Sequence, residues 1–154
     1  MKPQFNVFIH VSRPVAEVFE AVVDPENLSA YFTTGGARGW LEAGATVMWD
    51  FHDFPGAFPV DVVEVAQDKR IALRWGANDP GAKGDDAYKT DVVFTFTPVD
   101  NGKHTKVEVS ESGWPETANG VTASYSNCMG WSQMLCALKA WVEYGINLRD
   151  GAYR

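Results

Sequence analysis

The hydrophobic period of the chain changes once in its last third, and that change restricts the fold more than any other feature. Asp91 to Thr97 reads Asp-Val-Val-Phe-Thr-Phe-Thr, and Thr105 to Ser112 reads Thr-Lys-Val-Glu-Val-Ser-Glu-Ser. Both alternate with the period of two that marks a strand. Beyond Gly113-Trp114-Pro115, the residues Val121, Tyr125, Cys128, Trp131, Leu135, Leu138 and Val142 recur at helical spacing, predicting a helix from about Asn119 to Tyr144. A lone long helix after a run of antiparallel strands must bury its apolar stripe against them. A curved sheet closing on such a helix tends to leave space between the two, so the pattern predicts a container.

Upstream, Phe5, Val7, Ile9 and Val11 alternate as a first strand, and Ser12 stands at an N-cap position with Pro14 close behind. Val15, Val18, Phe19 and Val22 form the apolar stripe of a short helix near 14–23, which Asp24-Pro25 stops; a second short helix is expected near 25–32. Thr33–Gly39 reads as a flexible loop, and Trp40-Leu41 as the opening of a strand. Strands are expected over Thr46–His52, Phe58–Ala66 and Arg70–Trp75, with Asp53-Phe54-Pro55-Gly56 as a turn and Ala77–Asp86 as a loop. Asp100-Asn101-Gly102 is a hairpin turn, because Asn-Gly accepts positive φ. With no repeat, low-complexity tract or linker, residues 1–154 are expected to form a single domain.

Composition removes several function classes. The net charge of −7 lacks the Lys/Arg clusters that nucleic acid or an anionic membrane surface demands. No run approaches the ~18 apolar residues of a membrane span, and Met1-Lys2-Pro3-Gln4 leads into a strand without an apolar signal segment, so a cytoplasmic location is expected. Cys128 and Cys136 lie eight residues apart on the predicted helix. That is a rise of about 12 Å, beyond the ~7 Å reach of a disulfide, so buried free thiols are expected. His10, His52 and His104 are scattered, and neither HExxH nor a Cys/His pairing occurs, so no metal and no cofactor are expected. There is no Gly-x-Ser-x-Gly elbow, and Gly81-Ala82-Lys83-Gly84 lacks phosphate-loop spacing, so no catalytic residue is assigned.

The element order β-α-α-β-β-β-β-β-β-α, with the long helix last, resembles the helix-grip fold of the START/Bet v 1-like (SRPBCC) superfamily. Within it the chain is similar to the family related to the C-terminal domain of the Hsp90 ATPase activator. The residues carrying the likeness run through the chain: Pro14 to Ala21 with Asp24-Pro25 and Leu28, then Glu64-Val65 and Ile71-Ala72-Leu73-Arg74-Trp75. Val92 to Phe96, Gly102, Thr105, Gly113, Gly130-Trp131, Leu135 and Leu138 follow in order. Where the family pattern usually has Trp at the end of the second short helix, this chain has Tyr31-Phe32. The resemblance implies an α+β fold: a curved antiparallel sheet of six to seven strands around the C-terminal helix, with two short helices between the first two strands. It also implies a small hydrophobic molecule as partner. A cyclase- or hydratase-like enzyme, a chaperone partner of the Hsp90 type and a homodimer stay open as alternatives.

Strand parity selects the ligand-binding candidates. Val107 and Val109 share a face with Glu111, whose carboxylate would stand at the cavity mouth and fix a polar ligand end, unless the strand has already ended and leaves it solvated. Trp49 is in phase with Val47 and Phe51, and Trp75 with Ile71 and Leu73; each is either core or ligand platform. Tyr88 offers a ring and a hydroxyl at its strand end, and Tyr125 and Cys128 occupy the less bulky half of the helix. These six residues are expected to line one cavity, rimmed by Thr33–Gly39 and Ala77–Asp86. A Glu111→Gln change is expected to leave folding nearly intact.

Overall fold

A computed structural model describes residues 1–154. Strand β1 (Gln4–Val11) leads into α1 (Val15–Val23) and α2 (Pro25–Tyr31), followed by β2 (Gly36–Arg38), β3 (Thr46–Phe51), β4 (Phe54–Ala66), β5 (Arg70–Gly76), β6 (Lys89–Val99), β7 (His104–Ser112) and α3 (Ala118–Tyr144). The strands make one seven-stranded antiparallel sheet in the order β1-β7-β6-β5-β4-β3-β2. This curved sheet grips α3, as the period switch requires.

Alternation along β6 and β7 sends Thr90, Val92, Phe94 and Phe96, and Thr105, Val107, Val109 and Glu111, to the buried face. Leu135 and Leu138 of α3 join Phe94, Phe96, Val107 and Val109 in one core cluster, with Val142 packed at its edge. The β6–β7 hairpin turns on positive φ at Asp100 (51°), Asn101 (55°) and Gly102 (81°), a conformation that Asp and Asn tolerate and that Gly, lacking a Cβ, adopts freely. On the outer face, Arg74 pairs with Asp91 across β5 and β6 (2.8 Å). Asp61, whose direction alternation leaves open, points outward to Thr46 and Lys89.

Helix ends follow local chemistry. Asp24 caps α2 by accepting from the Glu26 N–H, and Thr117 caps α3 by accepting from the Gly120 N–H. Gly145, at φ 68°, closes α3 in the left-handed conformation. Tyr31, of the Tyr31-Phe32 pair, is buried, and its hydroxyl donates to the Ala21 carbonyl (2.8 Å), fastening α2 to α1.

Several local expectations are corrected. Ser12 is not a helix cap: Pro14 holds that position, and the Ser12 N–H instead donates to Glu143 at the far end of α3 (3.0 Å). The glycine-rich stretch supplies edge strand β2, because Gly36, Ala37 and Arg38 pair with Asp50, Trp49 and Met48. Trp40-Leu41 lies outside any strand. The β3–β4 turn is only His52-Asp53, and β4 already pairs at Phe54 opposite Phe51. The two cysteines are free but not buried: Cys128 is half-buried and Cys136 exposed. Both fall off the stripe that α3 buries.

Candidate functional site

Glu111 ends the inward row of β7, and the strand has not yet ended when it arrives, so the carboxylate is carried into the interior at 1% exposure. A carboxylate there must be hydrogen-bonded, and it is. Oε2 accepts from Thr90 Oγ1 (2.7 Å), Trp75 Nε1 (3.0 Å) and Asn127 Nδ2 (3.0 Å), while Oε1 accepts from Trp131 Nε1 (2.8 Å) and Asn127 Nδ2 (3.1 Å). None of these donors is charged. Burial therefore pushes the Glu111 carboxyl above its ordinary range, and the bonds from Thr90, Trp75, Trp131 and Asn127 oppose that shift without cancelling it.

The two indoles that Glu111 fixes form one side of a cavity of about 660 Å³ between the sheet and the first half of α3. That volume lies within the range of small-molecule pockets, ~300–1,000 Å³. Seven aromatic residues line it: Phe32, Phe51, Phe54, Phe58, Trp75, Trp131 and Tyr153. Trp75 meets Trp131 at a centroid distance of 5.3 Å, and Phe58 meets Trp75 at 5.9 Å, making a continuous apolar wall. Gly130 opens space on the helix side, since a Cβ built there meets nothing within 4 Å. The polar groups on the surface are Asn78, Ser126, Asn127 and Arg149.

Arg149 belongs to the segment that follows α3 and folds back over the cavity. Its guanidinium pairs with Asp53 in the β3–β4 turn (Nη2 to Oδ1, 2.8 Å), and both side chains are buried. It packs over Phe51 (4.4 Å) and Tyr153 (4.6 Å). Burial pushes the Tyr153 phenol above its ordinary range; the Arg149 charge and a hydrogen bond from its guanidinium oppose this, and Asp53 adds to it.

The six expected residues divide. Trp75 is on the wall. Trp49 stands one layer behind it, edge-on to Trp75 (6.0 Å) and Phe32 (5.6 Å). Glu111 is also behind the wall, touching the donors rather than the mouth. Tyr88 turns away to donate to Asp79 (2.6 Å); burial and that aspartate raise its phenol above the usual value. Tyr125 is 73% exposed, and Cys128 is not on the lining. The inward register of α3 runs Ser124, Asn127, Trp131, Leu135, Leu138, about one residue out of step with Tyr125 and Cys128. Choosing apolar residues hid Asn127, although counting back four from Trp131 reaches it. Of the expected rim, Ala77 and Asn78 contribute but Thr33–Gly39 does not. Arg149 and Asp53, 96 positions apart, carry no local signal of their meeting. No group of three or more His, Cys, Asp or Glu side chains converges in metal-binding geometry. No helix is long and apolar enough to cross a membrane.

Residues 12–143 match the family described as activator of Hsp90 ATPase homolog 1-like protein. No curated protein matches the chain. Among solved structures, the chain is similar to the protein SSP2350 from Staphylococcus saprophyticus, with a TM-score of 0.77, 23% identity and 96% of each chain covered. The Aha1 dimer from Colwellia psychrerythraea gives a TM-score of 0.72 at 22% identity, covering 93% of this chain and 98% of that one. DynU16, a protein in the dynemicin biosynthetic locus, gives a TM-score of 0.74 at 25% identity, covering 94% of this chain but 48% of that one.

Proposed function

The chain belongs to the activator of Hsp90 ATPase homolog 1-like family, and on that premise we propose that it binds a small hydrophobic or amphipathic molecule between the sheet and α3. The observation that carries this reading is the cavity of about 660 Å³ walled by aromatic rings. Residues 1–154 act in it as one helix-grip domain, with Trp75, Trp131, Phe58 and Asn127 against the ligand. Trp49 and Glu111 hold those residues from behind. Burial of an apolar molecule there gains free energy in proportion to the area withdrawn from water, roughly 25 cal/mol per Å² before association costs. Thermal-shift and native mass-spectrometry screens against lipids, polyketides and aromatic compounds test it. No shift and no adduct in any class sinks it.

A second reading, a cyclase- or hydratase-like enzyme, is favoured by one observation. Glu111 is a buried carboxyl with a raised proton affinity, the state a general acid needs. Reaching a ligand requires it to exchange one of its indole or amide donors. An NMR titration placing Glu111 at the usual carboxylate value removes this role. Two partner readings have separate tests: the Colwellia Aha1 dimer supports a homodimer, and the family description supports a chaperone contact. Light scattering that gives a monomer removes the first. An unchanged ATPase rate of an Hsp90-type chaperone removes the second.

A further inference from the structure

We propose that the cavity selects an uncharged planar aryl compound carrying a carbonyl oxygen, and that Arg149 recognises that oxygen. The inference rests on the ligand-binding reading above and specifies its ligand class. Arg149 is the one charged residue on the lining, at 8% exposure. A guanidinium carries five N–H donors. Nη2 donates one to Asp53, and the Tyr153 phenol accepts another from the guanidinium at looser geometry. Nε is buried without a partner, as is Asp53 Oδ2 of the same pair, while Nη1 makes no close hydrogen bond and is not sealed in the interior as Nε is. A cation held flat by Phe51 and Tyr153, on the lining both of this cavity and of a second, smaller pocket, keeps donors to spare for an acceptor.

The charges around it decide which acceptor. Asp53 already neutralises Arg149, and Glu111 places a second carboxylate behind Trp75 and Trp131. A carboxylate ligand would add an anionic group to a poorly hydrated space whose one cation Asp53 already neutralises, and so meets a desolvation cost without a free countercharge. A ketone oxygen accepts from Nη1 at no such cost. The flat body of the ligand follows from the rings of Trp75, Trp131 and Phe58, which favour stacking and edge contacts. Arg149 also lies outside the span of the family match, residues 12–143, so this recognition belongs to the chain's own segment after α3.

The test uses three probes of nearly one shape: 2-acetylnaphthalene, 2-ethylnaphthalene and 2-naphthoate, titrated by tryptophan fluorescence and calorimetry. The wild type should bind the ketone at least about tenfold tighter than the hydrocarbon or the acid, the factor one hydrogen bond to a charged donor supplies. The double variant Asp53→Asn/Arg149→Met keeps the volume and removes both charges; it should bind ketone and hydrocarbon alike. Asp53→Asn alone leaves the guanidinium uncompensated and should raise affinity for the acid. Equal wild-type affinities for ketone and hydrocarbon, or a ketone preference that survives in the double variant, overturns the role of Arg149. So does tightest wild-type binding of the acid. If the double variant does not fold, the wild-type series and Asp53→Asn decide alone. Hydrocarbon binding without ketone preference leaves the cavity reading standing. Failure of all three probes, with indole emission unchanged, overturns the aryl-ketone proposal, while the cavity reading stands or falls on the broader screens above.

Discussion

Replacing Glu111 by Gln should destabilise the protein, and the loss should shrink as pH rises. The donor ring around the carboxylate thereby reverses the expectation from strand parity alone that Glu111→Gln leaves folding nearly intact. Every group facing the carboxylate is a donor in the present arrangement: two indole N–H groups, the Asn127 amide and the Thr90 hydroxyl. A Gln side chain brings an NH2 group into that ring. The Thr90 hydroxyl can turn round and accept from it, but an indole cannot. Whichever way the amide lies, Trp75 or Trp131 loses its acceptor, and a buried donor left unmade costs about 1–3 kcal/mol. At 2–4 °C per kcal/mol for a chain of this size, that is a drop of roughly 2–12 °C in Tm. Removing the buried charge works in the opposite direction. Glu111 has its folded-state pKa raised, so the folded protein holds this proton more tightly than the unfolded chain does. Its contribution is therefore most favourable below the unfolded value of about 4.3 and is lost as pH climbs through the folded value. Gln does not titrate. Urea unfolding followed by tryptophan fluorescence should show the larger deficit for Glu111→Gln near pH 5 and a smaller one near pH 8. A deficit that widens with pH, or no deficit at pH 5, would falsify the reasoning.

Leu138→Ala should cost about 2–5 kcal/mol in the same assay, because the side chain is fully buried in the core; a loss under about 0.5 kcal/mol contradicts the packing. Gly130→Ala should raise stability by roughly 0.5–1 kcal/mol, since the helix interior disfavours Gly and the new methyl meets open cavity, while Gly130→Trp should abolish ligand-induced thermal shifts. Glu143, with its side chain 6% exposed, is pushed up by burial but held lower overall by Lys139, the Ser12 N–H and Arg13. Its stabilisation is present above the unfolded carboxylate value and lost as pH falls through the folded one. Glu143→Gln should thus cost about 1–3 kcal/mol at pH 7 and nothing near pH 2, measured by pH-dependent unfolding.

The fold was legible because it rests on periodicities that survive without knowledge of partners. Val92, Phe94 and Phe96 can bury only if Val107 and Val109 do, and the helix with Leu135 and Leu138 has no other surface to cover. The same parity carried Glu111 inward. What alternation does not encode is what an inward polar group meets. The ring around Glu111 joins β5, β6, β7 and α3, and each donor looks ordinary in its own segment. Tyr125 was preferred to Asn127 because hydropathy ranks a phenol above an amide, whereas the interior at that level needed a donor. The buried thiols failed for a related reason: Cys128 was counted on a stripe drawn about one residue out of step, and Cys136 stands off that stripe and is exposed.

The left-handed turn at Gly145 has a consequence for how this molecule changes over generations and in the laboratory. It turns the chain back so that Arg149 and Tyr153 reach the cavity lining, and the frame of sheet and helix and this part of the lining are written in separate stretches of text. Substitutions after Gly145 that keep the buried Arg149–Asp53 pair change the cavity lining without touching the core under α3, which makes this short coda the economical place to graft a new preference. The same segment braces the strand side as well: Arg154 stacks on Phe54 (4.6 Å), itself on the lining.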